Sequence, residues 1–417
     1  MRSGLRLITR QRCVCRCVVS CVFLLHHCAI ALDDQLARTP PMGWNSWETL
    51  RLNIDEQTIR SVADALVRTG MRDAGYQYVV LDAGWKAAGR DAAGKLMADP
   101  RKFPAGIKAL AGYVHSRGLK FGLYTDAGDR DCVAGSPGSR DHELLDAATF
   151  AEWGVDYLKE DWCNSQGLNA QKAYAKMSAA IRATARPMVF SICEWGDNQP
   201  WEWAASVAHL WRTTGDNRAC WDCGRESMNK PGGYPRGWTL ILDAQVSLAK
   251  FAGPGHWNDP DLLEVGNPGL TVEESRAHFS LWSILAAPLM ATNDPSLMSP
   301  EVADILLNRE VIDIDQDPAG REGTRLQSSH GLEIWMRELS EGSRAVVLFN
   351  RTRTAASIRV EWSRVGFSKG ERIRVRDLWQ HREMGNFKDE YTASVAAHGA
   401  VMLRLHANNM QVQEIDN

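Results

Sequence analysis

The stretch YLKEDWCN (Tyr157–Asn164) ends an apolar run with Lys159, Glu160 and Asp161, followed at once by Trp162 and Cys163. Charged side chains are seldom buried unless paired or put to use. A strand that finishes this way leads either into a functional site or into a structural ion pair. Side chains alternate along a strand. Tyr157, Lys159 and Asp161 therefore share one side, and Leu158, Glu160 and Trp162 the other.

Runs of the same texture recur on both sides of it. Strand-like segments occur at MGWNSW, YQYVVLDAGW, LKFGLYTDA, DYLKEDW, PMVFSICEW, HLWRTTGD, GPGHWNDPD and PLMATND. Between them lie stretches with apolar residues three and four apart, the helical period. These are residues 56–74, 106–116, 144–153, 170–183, 239–250 and 271–284. Eight strand–helix units over roughly 280 residues fit a (β/α)8 TIM barrel. A doubly wound open sheet would carry a glycine-rich phosphate turn after its first strand, and none is found.

Beyond about residue 325 the pattern changes. LEIWMREL, SRAVVLFN, SIRVEW, RIRVRDLW and AVMLRLHA alternate apolar and polar residues with no helical stretch between. This reads as a C-terminal antiparallel β-sandwich. The expected division is a leader at 1–31, a catalytic barrel at 32–320 and the sandwich at 321–417. The boundary falls in DQDPAGREGTR.

The N-terminus reads as an address. Arg2, Arg6, Arg10, Arg12 and Arg16 precede a short apolar core, CVVSCVFLL, and Ala29-Ile30-Ala31 has the small-x-small form of a cleavage site. The apolar run is shorter than the ~20 residues of a spanning helix. Export as a signal peptide with cleavage near Ala31 is expected, to the periplasm or the medium. That loss moves the formal charge from −3 to −8 and leaves Cys132, Cys163, Cys193, Cys220 and Cys223. A mildly acidic exported protein is a poor nucleic-acid binder. No further run is long enough to span a membrane.

The strand ends concentrate carboxylates and aromatics. Asp82 stands near Trp85, Tyr124 and Asp126 share one parity, Cys193 and Trp195 flank Glu194, Arg212 precedes Asp216 by four residues, and Asp259 and Asp261 close WNDPD. In such barrels the active site lies at the C-terminal ends of the strands. There Lys159 would sit one layer below Asp161 and hold it ionised, as a nucleophile or electrostatic stabiliser; a structural Lys–Asp pair is the other reading. The 16 tryptophans serve equally well as core or as sugar platforms. Convergent acids without a metal motif point to glycoside chemistry, which uses two carboxyl groups about an oxocarbenium-like transition state. No cofactor or metal is called for.

The motifs TPPMGWNSW, LDAGW, DPRKFPAGIKALAGYVHSRGLKFGLY, YLKEDWC, CEWG, WRTTGD and GPGHWNDPDLLEVGN resemble glycoside hydrolase family 27, in order, over residues 39–320. That family contains α-galactosidases and α-N-acetylgalactosaminidases. The resemblance implies a retaining double displacement with Asp161 as nucleophile and Asp216 as acid/base. It implies that Trp47 packs on the sugar ring and that Asp82 binds the 4- and 6-hydroxyls. Tyr124 would lie below the nucleophile, Lys159 would bond hydroxyls, and Arg212 would lie near the 2-hydroxyl. Asp261 would line the pocket, with Cys193 and Trp195 beside the 2-position. CEWG is similar to the hydroxyl-accepting form, whose bulk excludes an acetamide. The implied substrate is an α-galactoside oligosaccharide or polysaccharide; the oligomeric state is left open.

There are departures from the family pattern. Where the family commonly has DDCW, this chain has DAGW, so Ala83 removes a carboxylate and Gly84 a cysteine. Loss of polar readout weakens discrimination, which leaves room for a β-L-arabinopyranosidase. A non-catalytic carbohydrate-binding barrel is a third reading, opposed by the presence of both Asp161 and Asp216. The resemblance pairs Cys132 with Cys163 and leaves Cys193 a free thiol in the pocket. Cys220 and Cys223 form a C-x-x-C without a second zinc half-site or a thioredoxin-like setting, so a small loop disulfide is expected. Asn350-Arg351-Thr352 is a glycosylation sequon. His256, the histidine nearest the expected site in sequence, reads as structural.

Overall fold

A computed structural model describes residues 32, 34–133, 135–225 and 236–407. The leader expected at 1–31 lies outside the described residues. No helix among those described is long and apolar enough to cross a membrane.

Eight parallel strands form the first unit: β1 (Met42–Asn45), β2 (Tyr78–Leu81), β3 (Lys120–Asp126), β4 (Tyr157–Asp161), β5 (Val189–Cys193), β6 (Leu210–Arg212), β7 (Trp257–Asp259) and β8 (Leu289–Ala291). Neighbours pair in chain order, and β8 returns to pair with β1. A parallel bridge from Leu263 to Ala291 joins the segment after β7 to β8 and closes the ring. This is the TIM barrel. Its two cores follow from strand parity. Tyr78, Val80, Tyr157, Val189, Leu210, Trp257 and Met290 fill the interior, whereas Val79, Leu81, Phe121, Leu158, Phe190 and Trp211 face the helical layer.

One unit departs from the expected pattern. Between β5 and β6 there is no α-helix, only two 3₁₀ turns, Pro200–Glu202 and Ala204–Ser206. Gly196 and Pro200 interrupt that segment, and proline cannot continue a helix hydrogen-bond ladder. Trp203 covers the gap by stacking on Tyr174 of helix Ala170–Ala183, at 6.2 Å between ring centroids.

The second unit has eight strands: β9 (Thr324–Ser329), β10 (Leu332–Glu338), β11 (Arg344–Asn350), β12 (Ala356–Glu361), β13 (Arg372–Asp377), β14 (Arg382–Lys388), β15 (Glu390–Val395) and β16 (Ala400–Ala407). Six form one antiparallel sheet in the order β9-β10-β11-β16-β13-β14, and β12 pairs with β15 over it. The large sheet is buried on both faces. Ile334, Val346, Leu348 and Leu403 meet the small sheet, and Trp335, Val347, Phe349 and Met402 meet the barrel core. Strands β9, β14 and β15 were not among the expected segments. The first two are sheet edges whose polar sequences, TRLQSS and REMGNFK, carry little strand signal.

Asn350 is fully buried, and its Nδ2 donates to the carbonyls of Thr354, Val395 and Ala396. The sequon therefore offers no acceptor nitrogen once the chain has folded.

The units meet at a buried arginine. Arg337, 1% exposed, donates Nη1 to the carbonyls of Ser283 and Asp315, each in the last turn of a barrel helix. A cation there satisfies orphan carbonyls and opposes the helix dipole. Arg337→Met should lower unfolding free energy by roughly 3 kcal/mol, read by denaturant titration. A loss under about 0.5 kcal/mol would contradict this role.

Candidate active site

The strand ends of the barrel enclose a hollow of 230 Å³. That is below the usual range for drug-sized ligands and suits a single small ring. Trp47, Asp82, Ala83, Tyr124, Lys159 and Asp161 line its β1–β4 side. Cys132, Val133, Cys163, Trp195, Asp216 and Arg218 complete it.

Register puts the central groups in two layers. Tyr124 pairs with Lys159, and Lys159 with Ser191; one layer up, Asp126 pairs with Asp161, and Asp161 with Cys193. Lys159 does sit one layer below Asp161, but its ammonium is bonded elsewhere. Nζ lies 2.8 Å from Asp82 Oδ2, which also accepts from Asn45 Nδ2 at 2.9 Å. Burial would raise the Asp82 pKa, yet Lys159 and the Ala83 N–H hold it below the ordinary value.

Asp161 is bonded instead by Tyr124 OH at 3.1 Å and by the Trp162 N–H at 3.2 Å. Burial pushes its pKa up to about 6, with Lys159 opposing and Asp216 adding to the rise. Lys159 thus favours the ionised form of Asp161 through space, while its own hydrogen bond goes to Asp82. The lysine moderates the shift through space but does not overcome desolvation.

Asp216 lies beyond the end of β6, its side chain 30% exposed and therefore open to solvent. Arg212 Nη2 bonds it at 3.0 Å, and Nη1 of the same guanidinium bonds Asp261 at 2.9 Å. Three residues expected at the sugar are deeply buried. Arg212, Asp261 and Cys193 are 2%, 4% and 1% exposed and lie behind the lining. Arg212 and Asp261 form a support under Asp216, and the free thiol of Cys193 packs 3.5 Å from Arg212 Nη1. His256 precedes β7, at the opposite end of the barrel from the hollow, and stacks on Trp211.

The tryptophans divide between the two readings. Trp44, Trp85, Trp211, Trp238, Trp257 and Trp282 are fully buried in the barrel, whereas Trp47 and Trp195 line the hollow. Trp195 holds a positive φ of 58°, an uncommon conformation for a bulky residue. Its neighbour Glu194 fixes that turn by accepting from both Asn198 nitrogens.

A disulfide joins Cys132 to Cys163 and forms one wall, and a second joins Cys220 to Cys223. The loops carrying the first are held by Asp126, whose oxygens accept the Gly128 and Cys163 N–H groups. They touch closely enough that a Cβ on Gly128 would lie 2.0 Å from the Cys163 carbonyl oxygen. Asp126 and the two sulfurs are the trio of ligand-type atoms found together among the described residues. Joined sulfurs leave no thiolate for a metal. Sequence reasoning did not single out Arg218, Val133 or Asn45: Asn45 ends β1, Arg218 lies in a two-residue strand after Asp216, and Val133 lies in a bend, and only the closed barrel brings them to the hollow.

A family model described as Alpha galactosidase A matches residues 39–317, and one for the alpha galactosidase C-terminal beta sandwich domain matches residues 329–405. The chain belongs to glycoside hydrolase family 27. An "Alpha-galactosidase A" of Cellvibrio japonicus is 49% identical over 89% of this chain and 93% of that protein. An alpha-galactosidase of Oryza sativa subsp. japonica is 44% identical over 91% of this chain and 87% of that one. Among solved structures, alpha-galactosidase I from Mortierella vinacea superposes with a TM-score of 0.87 at 34% identity, over 90% of this chain and 98% of that one. Both units of this family 27 chain are thus shared with its relatives.

The raised pKa of Asp161 has a consequence for stability. Folding lifts it from an ordinary ~3.9 to about 6, so the native state holds the proton more tightly than the unfolded chain. The group costs nothing below about pH 4, and stability is lost as pH rises through 6. Asp161→Asn should therefore stabilise the protein at pH 7 by on the order of 2 kcal/mol, with the gain vanishing near pH 4. A melting temperature lowered by the substitution at pH 7 would contradict the assignment.

Proposed function

We propose that this chain is an exported retaining α-galactosidase that removes terminal α-linked galactose from oligosaccharides or polysaccharides. The observation that carries the reading is the meeting of Asp161 and Asp216 in one ring-sized hollow, in a member of family 27. Asp161, held by Tyr124 and the Trp162 N–H, attacks the anomeric carbon. Asp216, on its arginine support, protonates the departing glycosidic oxygen and then takes a proton from the incoming water. Two inversions at one carbon return the original anomer.

Lys159 and Asp82 meet ring hydroxyls with a charged donor and acceptor, and Trp47 and Trp195 supply flat walls. The bulk of Trp195 disfavours an acetamide at the 2-position. Relatives described as alpha-galactosidases favour galactose. Ala83 in the lining motivates the arabinopyranoside alternative, because it removes a polar contact near Asp82. The two disulfides agree with an oxidising destination.

Purified enzyme should hydrolyse 4-nitrophenyl α-D-galactoside in preference to the β-L-arabinopyranoside; the reverse preference rejects the galactoside reading. Asp161→Asn should lower kcat by at least about 10³-fold with the fold intact. Asp216→Ala should slow poor leaving groups more than good ones. Because the nucleophile must be ionised, kcat/KM should fall as pH drops below about 6. A profile flat from pH 7 to 4 would exclude Asp161 as the titrating group.

A further inference from the structure

Lys86 directly follows the DAGW segment and is 4% exposed. A lysine is seldom buried so fully unless it is paired. Its backbone is fixed by an antiparallel bridge to Ala98, and the next N–H, that of Ala87, donates to the Met97 carbonyl at 2.8 Å. The wholly enclosed side chain therefore leaves a held piece of backbone. Nζ donates to the Pro137 carbonyl at 2.8 Å and lies 3.8 Å from Asp131 Oδ2. It also lies 5.4 Å from the centre of the Tyr124 ring, within cation–π range. Burial pulls its pKa below the ordinary value, and Asp131, Asp126 and Asp146 oppose that shift.

These contacts lead to Asp161 by two routes. The first is the loop after β3. Arg130 bridges to Pro137, and Asp131 Oδ1 accepts the Ser136 N–H at 3.2 Å, so the two stems of the loop are drawn together around Cys132 and Val133. Lys86 meets both stems, Asp131 on one and Pro137 on the other. From this loop Cys132 Sγ comes within 3.1 Å of Asp161 Oδ2. The second route is Tyr124, whose hydroxyl donates to the same Oδ2 at 3.1 Å. Trp85, the residue before Lys86, donates Nε1 to the Tyr124 carbonyl at 2.9 Å. The pair Trp85-Lys86 thus holds that tyrosine at its backbone and at its ring. One oxygen of Asp161 is bounded by a sulfur and a hydroxyl, and both trace back to one ammonium.

We infer that Lys86 is a positioning residue for the glycosidic reaction: its ammonium ties the Cys132 loop and Tyr124 into one frame that orients the Asp161 carboxylate for attack. The inference rests on the α-galactosidase reading and deepens it. Lys86 is absent from the lining of the hollow, so it acts on the sugar only through these two neighbours. Bond formation needs a near-attack geometry, and a misplacement of 1 Å costs about 10²-fold in rate. Without the ammonium, Asp131 loses an ion pair, the Pro137 carbonyl a donor and the Tyr124 ring a cation.

The test is steady-state hydrolysis of 4-nitrophenyl α-D-galactoside by Lys86→Met and Lys86→Gln, well below the melting temperature of each. Met keeps the length of the side chain without its charge, and Gln keeps a polar donor without the charge. Each variant that folds should lower kcat by about tenfold or more, with KM within about threefold of the parent. A folded variant with kcat within about twofold of the parent, whether or not KM rises, overturns the inference, because a purely structural lysine leaves kcat where it was. If Lys86→Met does not fold, Lys86→Gln decides the question alone. Failure of the parent enzyme to cleave the aryl galactoside would be a different result: it removes the α-galactosidase reading and this inference with it.

Discussion

The constraint on which the site depends is the parallel register of β3, β4 and β5. Tyr124, Lys159 and Ser191 fall in one layer, and Asp126, Asp161 and Cys193 in the next. Strand periodicity then does the rest. A shift of one residue would turn Lys159 and Asp161 into the helical layer and bring Glu160 to the axis. Close approach helps to hold the register: a Cβ on Gly122 would lie 2.7 Å from the Val80 side chain, and one on Gly43 would lie 2.5 Å from the Tyr78 carbonyl oxygen.

This arrangement collects buried acids at one end of a low-dielectric barrel. Asp161, Asp126 and Asp261 are raised to about 6, about 8 and about 7, each chiefly by burial. Stability is given up there for chemistry, a common trade at active sites. Compensation comes from fixed partners. Lys159 holds Asp82, Arg212 holds Asp216 and Asp261, and Tyr124 is itself anchored because its carbonyl accepts from Trp85 Nε1. The sandwich contributes as well. Trp221, within the Cys220–Cys223 loop, stacks on His398 at 4.1 Å and packs against Phe349. The loop that follows Asp216 is thus braced by the second unit.

Much of this was legible in the sequence because period and punctuation are local. The eight barrel strands each carried an apolar run ending in polar residues, and YLKEDW gave the parity of Lys159 and Asp161 directly. Partner choice was not legible, because it is set across the ring. Lys159 reaches Asp82, 77 residues away in sequence, rather than its neighbour Asp161. Arg212 reaches both Asp216 and Asp261, a pairing across strands that neither motif shows alone. The absent helix between β5 and β6 was signalled by Gly196 and Pro200, and the polar edge strands β9 and β14 gave almost no pattern to read.

The central claim is that the carboxylate ending β4, and no other acid in the cluster, forms the bond to the sugar. The most direct measurement is mass-spectrometric mapping of the enzyme trapped with a 2-deoxy-2-fluoro galactosyl donor, which slows turnover of the covalent intermediate. The account predicts the sugar adduct on the peptide containing Asp161, at that side chain. An adduct on Asp126 or Asp216, or rapid turnover with no adduct formed, would contradict it.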